Sequence, residues 1–326
     1  MKSKQAPASN FQGKEPDSFD FKEILYEKKD WVARVTFNRP EVYNAYSVRT
    51  LRELCQAFED ASWDDAVAVL VLTGAGSKAF CTGGDVAEYY QNYTRRPHDY
   101  WKWMGEFIRC LDLLRNLGKP AIARLNGLVA GGGNEFNLAC DLAVAADHVE
   151  ILQVGPKVGS VPCGGATQWL PITVGDRRAR EMMFLCDRVK ADQALQWGLV
   201  NRVVPAAELD ACVDEMAQKL VDRFPECIRY TKQQANFWKD LSWHSTIGHA
   251  RDWLAVHYTS QEPYEGMQAF VQKRPSRYRE MRESAAQGGS PEFLWGPWTR
   301  TCPQCKAEGI PEKFSFCGCC GTALPE

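Results

Sequence analysis

Long apolar runs are missing from this 326-residue chain. The longest, residues 66–72 (AVAVLVL), falls far short of the roughly 18–20 residues that span a bilayer. An excess of positive charge is missing too. Lys+Arg total 39 against 41 Asp+Glu, a net charge of −2, so no global basic field gathers nucleic acid. Histidine is scarce, at five, and G-x-S-x-G is absent, which argues against a Ser-His-Asp hydrolase. Neither G-x-G-x-x-G nor G-x-x-x-x-G-K-[ST] occurs, so we expect no nicotinamide or flavin cofactor and no phosphate cradle. Residues 1–18 are polar with no apolar h-region, so we read no secretory signal and expect a cytoplasmic protein.

Cysteine, by contrast, is abundant and uneven. Eight of the 13 lie between Cys55 and Cys227, and five crowd into the last 25 residues. An odd count without a signal argues against a disulfide framework and for a reducing compartment. With 45% hydrophobic and 25% charged residues, the rest of the composition is that of a globular protein.

Residues 1–20 read as a flexible arm. The segment ILYEKKDWVARVTFNRP (24–40) reads as two strands around a turn. Ser47 suits the cap of a helix carrying Leu51, Leu54, Cys55 and Phe58 at helical spacing. Residues 67–73 form a β-branched run of the kind buried on both faces of a parallel sheet. A helix over 97–117, a strand from Pro120, a Gly131-Gly132-Gly133 turn, a helix over 134–140 and a strand over 141–146 follow. That alternation predicts an α/β core, and helical patterns dominate from about 176, broken at 198–205. Residues 284–299 read as a Gly/Ser/Pro linker.

Two segments offer backbone to a ligand: 79–85 (AFCTGGD) after the buried strand, and 126–135 (NGLVAGGGNE), where three glycines open a helix. Free N–H groups from both, aimed at one point, would make an oxyanion hole. Two glycine turns at strand ends are the plainer alternative.

The blocks FNRPEVYNAYS, LTGAGSKAFCTGGD, KPAIARLNGLVAGGGNEFNLACD, QVGPKVGSVPCGGATQWLP and ADQALQWGLVNRVVP, in that order over residues 28–282, resemble the crotonase (enoyl-CoA hydratase/isomerase) superfamily. The resemblance implies a spiral of ββα turns with a helical C-terminal region over 21–283, homotrimers commonly paired into hexamers, and acyl-CoA substrates. It implies a thioester oxyanion held by the N–H groups of Gly84 and Gly132. CoA would lie near Asn44, Ala45, Tyr46 and Ala79, with Lys273 and Arg274 as candidates for its phosphates.

Glu135 matches the first of two glutamates that grip water in simple hydratases of the family. The second should fall at Gly155, and glycine performs no acid–base step. The surrounding block instead resembles the branch opening cyclic β-oxoacyl-CoA rings, closest to 6-oxocyclohex-1-ene-1-carbonyl-CoA hydrolase and 2-ketocyclohexanecarboxyl-CoA hydrolase. Ser-x-Pro-x-Gly-Gly-Ala at 160–166, the AFCTGG run with Glu88 and Tyr89, and Arg96-Pro97 carry that likeness. Departures are a missing insertion, Asp85 in place of a common Asn, and the cysteine-rich tail. The implied roles are Glu135 as base, Asp85 as a polarising or positioning group, and Tyr89, Gln153, Gly155 and Ser160 around the substrate. Tyr90 and His98 read as lining. His257 and Tyr258 are candidates for reaching a neighbouring site, and Cys81 reads as a core thiol. The alternatives are a hydratase of a cyclic or unusual enoyl-CoA and a non-catalytic acyl-CoA- or partner-binding scaffold.

Cys302-Pro-Gln-Cys305 and Cys317-Gly-Cys-Cys320 are two C-x-x-C knuckles. Four thiolates on two tight turns supply a tetrahedral Zn²⁺ site, and the same S₄ set accepts iron. Residues 300–326 therefore read as a small zinc ribbon whose folding the metal carries, with a protein partner as one candidate role.

Overall fold

The structure, a computed structural model, describes residues 11–289, 299–311 and 314–325. In chain order the elements are β1 (Ile24–Lys29), β2 (Val32–Phe37), α1 (Val48–Trp63), β3 (Val69–Gly74), β4 (Ala79–Cys81), α2 (Val86–Asn92), α3 (Pro97–Arg115), β5 (Ala121–Leu125), β6 (Leu128–Ala130), α4 (Gly132–Ala139), β7 (Leu142–Ala146) and β8 (Glu150–Leu152). There follow α5 (Ala166–Val174), α6 (Asp176–Leu185), β9 (Val189–Lys190), α7 (Ala191–Gln196), β10 (Arg202–Val204), α8 (Leu209–Val221), α9 (Pro225–Ala235), α10 (Phe237–His257), α11 (Gln261–Val271) and α12 (Tyr278–Ala286). No helix among the described residues is long and apolar enough to cross a membrane.

β1 and β2 pair as an antiparallel hairpin whose turn residues, Asp30 and Trp31, both sit at positive φ (50° and 68°). That backbone matches the twist of the flanking strands. α1 starts where its cap predicts. Ser47 Oγ accepts from the N–H groups of Arg49 and Thr50, and Thr50 returns the bond to the Ser47 N–H. β3 is buried at every position, parallel to β2 on one side and β5 on the other.

The strands form two sheets, β1-β2-β3-β5-β7-β10 and β4-β6-β8-β9. Three successive turns of chain each give one strand to the first sheet and one to the second: β3 then β4, β5 then β6, β7 then β8. Helices follow each pair, which is the ββα spiral. Its turns are riveted by two buried asparagines. Asn126 Nδ2 donates to the carbonyls of Gly74, Gly76 and Ala79, while its Oδ1 accepts from the Gly74 N–H and the Thr73 hydroxyl. Asn44, at φ 57°, donates to the Ala75 and Ala79 carbonyls. The loop leading into β4 thus gets its shape from side-chain amides where a strand ladder is absent.

Three expectations shift. Residues 1–10 of the expected arm lie outside the described residues, but 11–20 dock on the core: the Lys14 N–H donates to Asp60, and Phe19 stacks on Phe21 against Tyr26. Apolar Phe11, Phe19 and Phe21 outweigh the polar text around them. The expected linker overlaps α12, which runs to Ala286, and its residues 290–298 lie outside the described residues. The helix expected from Asn134 starts two residues earlier, at Gly132.

Replacing Asn126 by alanine strips five hydrogen bonds and leaves buried carbonyls unpaired. We expect a loss of about 2–4 kcal/mol, read from urea unfolding midpoints at unchanged slope.

Candidate active site

Two glycine pairs meet at the centre. Gly83 (φ 92°) precedes Gly84, and Gly131 (φ 52°) precedes Gly132. A side chain is strained in this left-handed region, so glycine is what lets each chain reverse here and present its next N–H outward. The turns touch: a Cβ on Gly83 would stand 3.1 Å from Gly132 N. Tyr46 forms a parallel bridge opposite Gly84, giving its N–H to Gly83 O and taking the Asp85 N–H, each at 2.9 Å. Gly84's own N–H therefore faces away from the bridge. Gly132 is the first residue of α4, so its N–H has no helical acceptor. Among the described residues neither N–H meets a backbone acceptor, and the two turns bring them close together.

Glu135 lies one helical turn beyond Gly132 and is 3% exposed. Its Oε1 accepts the N–H groups of Gly164 (2.6 Å) and Ala166 (3.1 Å) at the start of α5. Burial nevertheless pushes its carboxyl up to about 7, against the pull of those two donors. The carboxyl is thus fixed in place through one oxygen and poised between its two protonation states near neutrality. Sequence reasoning assigned no role to Gly164 or Ala166. The Gly-Gly-Ala opening of α5 was the available signal.

At Gly155 a Cβ would stand 2.8 Å from Ser160 O and 3.0 Å from Pro162 Cδ. The loop is folded tightly around glycine, so a second carboxylate is absent and a Cβ there already crowds the backbone. Asp85 caps α2, its Oδ1 accepting from Ala87 and Glu88, and its Oδ2 receives Arg39 at 2.9 Å. Arg39 also donates to the Ala45 carbonyl, tying the Asn44–Tyr46 segment to the loop that carries Gly84.

Aromatic rings wall the donors. A Cβ on Gly84 would collide with Tyr89 Oη, and one on Gly132 with Tyr46 Oη. Burial holds both hydroxyls well above the ordinary range, so both stay protonated. Trp103 packs edge-on against Tyr89 (4.7 Å), and Phe107 stacks on Tyr46 (5.2 Å). Tyr258 belongs to the same wall, stacked on Tyr100 with its hydroxyl 3.5 Å from Ser160 Oγ. Gln153 is 1% exposed, and its Nε2 has no partner among the described residues. Burial pushes the Cys81 thiol up to about 12, as befits a core thiol.

Other expected residues stand apart. Asn44 is buried, and its side-chain amide is spent on the Ala75 and Ala79 carbonyls, which joins the Asn44–Tyr46 segment to Ala79. Arg274 is forked onto Glu265 at 2.7 and 2.9 Å, which commits it. Lys273 is exposed just past α11, and no described contact brings it to the Asn44–Tyr46 segment. His257 stacks on Trp253, and His98 is exposed.

In the tail, β11 (Thr299–Arg300) pairs with β12 (Ile310–Pro311), and the sulfurs of Cys302, Cys305, Cys317 and Cys320 lie within 4.8 Å of one another. The two knuckles are built alike. Lys306 N donates to Cys302 O as Gly321 N does to Cys317 O, and Cys302 N donates to Ala307 O as Cys317 N does to Thr322 O. Lys306 and Gly321 both take positive φ. Cys319 stays outside the four.

Glu135 also marks stability. Its carboxyl ordinarily titrates near 4.5 and in the fold near 7, so its contribution is full below about 4.5 and lost by about 7. Glu135→Gln removes this dependence. From pH 4.5 to 7, wild type should lose about 3 kcal/mol relative to the variant, read by denaturant unfolding across pH.

A family model described as enoyl-CoA hydratase/isomerase matches residues 27–281. Solved structures agree. An enoyl-CoA hydratase from Mycobacterium avium subsp. paratuberculosis K-10 is 29% identical, with a TM-score of 0.71, covering 78% of this chain and 98% of that one. The DspI protein of Pseudomonas aeruginosa is 31% identical (TM-score 0.64; 80% and 99% covered). A Bacillus anthracis enoyl-CoA hydratase is 29% identical (TM-score 0.64; 79% and 99%). The spiral sheets, the helical C-terminal region and the match over most of the sequence make this chain a member of the enoyl-CoA hydratase/isomerase family, whose members process CoA thioesters.

Proposed function

We propose that the protein opens the ring of a cyclic β-oxoacyl-CoA by adding water across a C–C bond. The observation that carries this reading is a single buried carboxyl, Glu135, poised near 7 beside two unused backbone donors. Glu135 takes a proton from water as the hydroxide attacks the ring ketone. The bond between that carbon and the α-carbon breaks, and its electron pair moves into the thioester carbonyl. The N–H groups of Gly84 and Gly132 stabilise the enolate oxygen. The proton on Glu135 then passes to the α-carbon, leaving a carboxylic acid at one end and the intact thioester at the other. Aromatic walls suit a ring substrate. Asp85 acts as a positioning residue, holding Gly84's loop through the α2 cap and Arg39.

A second reading, hydration of a cyclic enoyl-CoA by Glu135 alone, is favoured by the names of the similar hydratases. Incubation with 6-oxocyclohex-1-ene-1-carbonyl-CoA and 2-oxocyclohexanecarboxyl-CoA, followed by mass spectrometry, separates them. Both reactions add one water, but only ring opening yields a new carboxyl that a carbodiimide–amine couple labels. We expect kcat/KM to rise with pH through about 7, and Glu135→Gln to cost about 10²- to 10⁴-fold.

We read the four tail cysteines as a structural zinc site. Pairs Cys302–Cys320 and Cys305–Cys317 stand at 3.6 Å, close to the roughly 3.8 Å edge of a tetrahedron with Zn–S near 2.3 Å. Metal analysis should find about one zinc per chain, lost in Cys305→Ser; a visible charge-transfer band would mean iron instead. The more than half-exposed Phe224, Tyr230, Phe237, Trp238 and Leu241 along α9 and α10 are read as covered by a second copy of the chain in a homotrimer.

A further inference from the structure

Between α2 and α3 the chain passes through Arg95, held at φ 68°, a conformation bulky residues avoid. Its N–H donates to the Tyr258 carbonyl at 3.0 Å, and its guanidinium lies 4.0 Å over the ring of Tyr264 on α11. Nε and Nη2 are both sealed from solvent, and neither meets an acceptor among the described residues. These two nitrogens form one edge of the guanidinium, and their N–H bonds run parallel. That is the fork a carboxylate grips with both oxygens. The acids carried by α2 and α11 have other partners: Glu88 meets Tyr93 and the Val48 N–H, Glu262 faces His257 at 3.9 Å, and Glu265 is held by Arg274 and Arg277. A guanidinium edge sealed from solvent with no acceptor among the described residues is costly, so it is a place where a carboxylate would be held strongly.

We propose that Arg95 is the receptor for a carboxylate at the far end of the acyl chain. This rests on the ring-opening reading, in which cleavage creates a carboxylate at the end remote from the thioester. Arg95 belongs to the aromatic cluster around the oxyanion donors. Tyr258, whose carbonyl holds it, packs edge-on against Tyr89, and Tyr90 packs 5.7 Å from Tyr264. Tyr89 itself lies against Gly84. The stacked Tyr264 fixes the plane of the fork, and the apolar surroundings favour a single charge over a hydrated phosphate.

Titration calorimetry on the full chain with pimeloyl-CoA, heptanoyl-CoA and free CoA tests this without turnover. The first two differ only in their far end. We expect wild type to bind pimeloyl-CoA about 10- to 100-fold tighter than heptanoyl-CoA. Arg95→Gln should erase that preference and leave heptanoyl-CoA and CoA unchanged. Arg95→Lys, which keeps the charge without the fork, should lose most of it at an unchanged melting temperature. No preference in wild type overturns the proposal. So does an equal loss for all three ligands in Arg95→Lys, which would assign the fork to a CoA phosphate. A preserved preference in a protein that opens no ring would sink the ring-opening reading and leave the receptor standing.

Discussion

The centre of the molecule depends on two glycine turns pressed together. Gly83 and Gly131 each reverse the chain at positive φ, and the N–H that follows each meets no acceptor among the backbone bonds of the described residues. They meet because β4 and β6 are neighbours in the second sheet and because Asn44 and Asn126 clamp the loop before β4. Gly133 completes the approach: a Cβ there would collide with the Cys81 carbonyl, so α4 rests directly on β4. Backbone donors fixed this way do not reorganise when charge appears, which is what makes them effective toward an enolate.

Glu135 inherits its setting from the same turn. α4 begins at Gly132, so position 135 projects inward one turn later, against the start of α5. Two N–H groups there stabilise the carboxylate, and enclosure by Tyr46, Cys163 and Phe107 destabilises it. Enclosure wins, leaving a carboxyl near 7 rather than a permanently charged cap. A helix N-terminus in water would have given the opposite sign. The burial around Glu135 therefore sets the protonation of its carboxyl.

Much of this was legible in the sequence, because local rules decide it. The Ser47 cap, the buried run at 69–74 and the knuckle spacing each follow from residues close in the chain. Gly84, Gly132 and Glu135 came from motif order. What stayed hidden is set by distant partners. The sequence allows Asp85 to polarise, position or cap, and only the fold shows that its oxygens meet both the α2 N–H groups and Arg39. The Asn44 side chain rivets Ala79, which its place in the sequence does not show. Arg95 carried no signal, since an unpaired fork is visible only once every neighbouring acid has been given its partner. The docking of 11–20 was hidden for a related reason: three phenylalanines scattered in polar text count for little until the surface they cover is known.

The tail obeys a different economy from the rest. Its buried residues are Cys302, Ile310, Cys317 and Leu324, two of them metal-type ligands. So small a core cannot offset an ordering cost of about 1–2 kcal/mol per residue. Yet its backbone is regular, with the same two hydrogen bonds and the same left-handed residue in each knuckle. Such repetition brings four sulfurs within 4.8 Å of one another, a spacing that hydrophobic packing does not select. The family match ends at residue 281, before the tail. On the zinc reading, a metal held by these sulfurs would supply the closure that the few buried side chains of the tail do not.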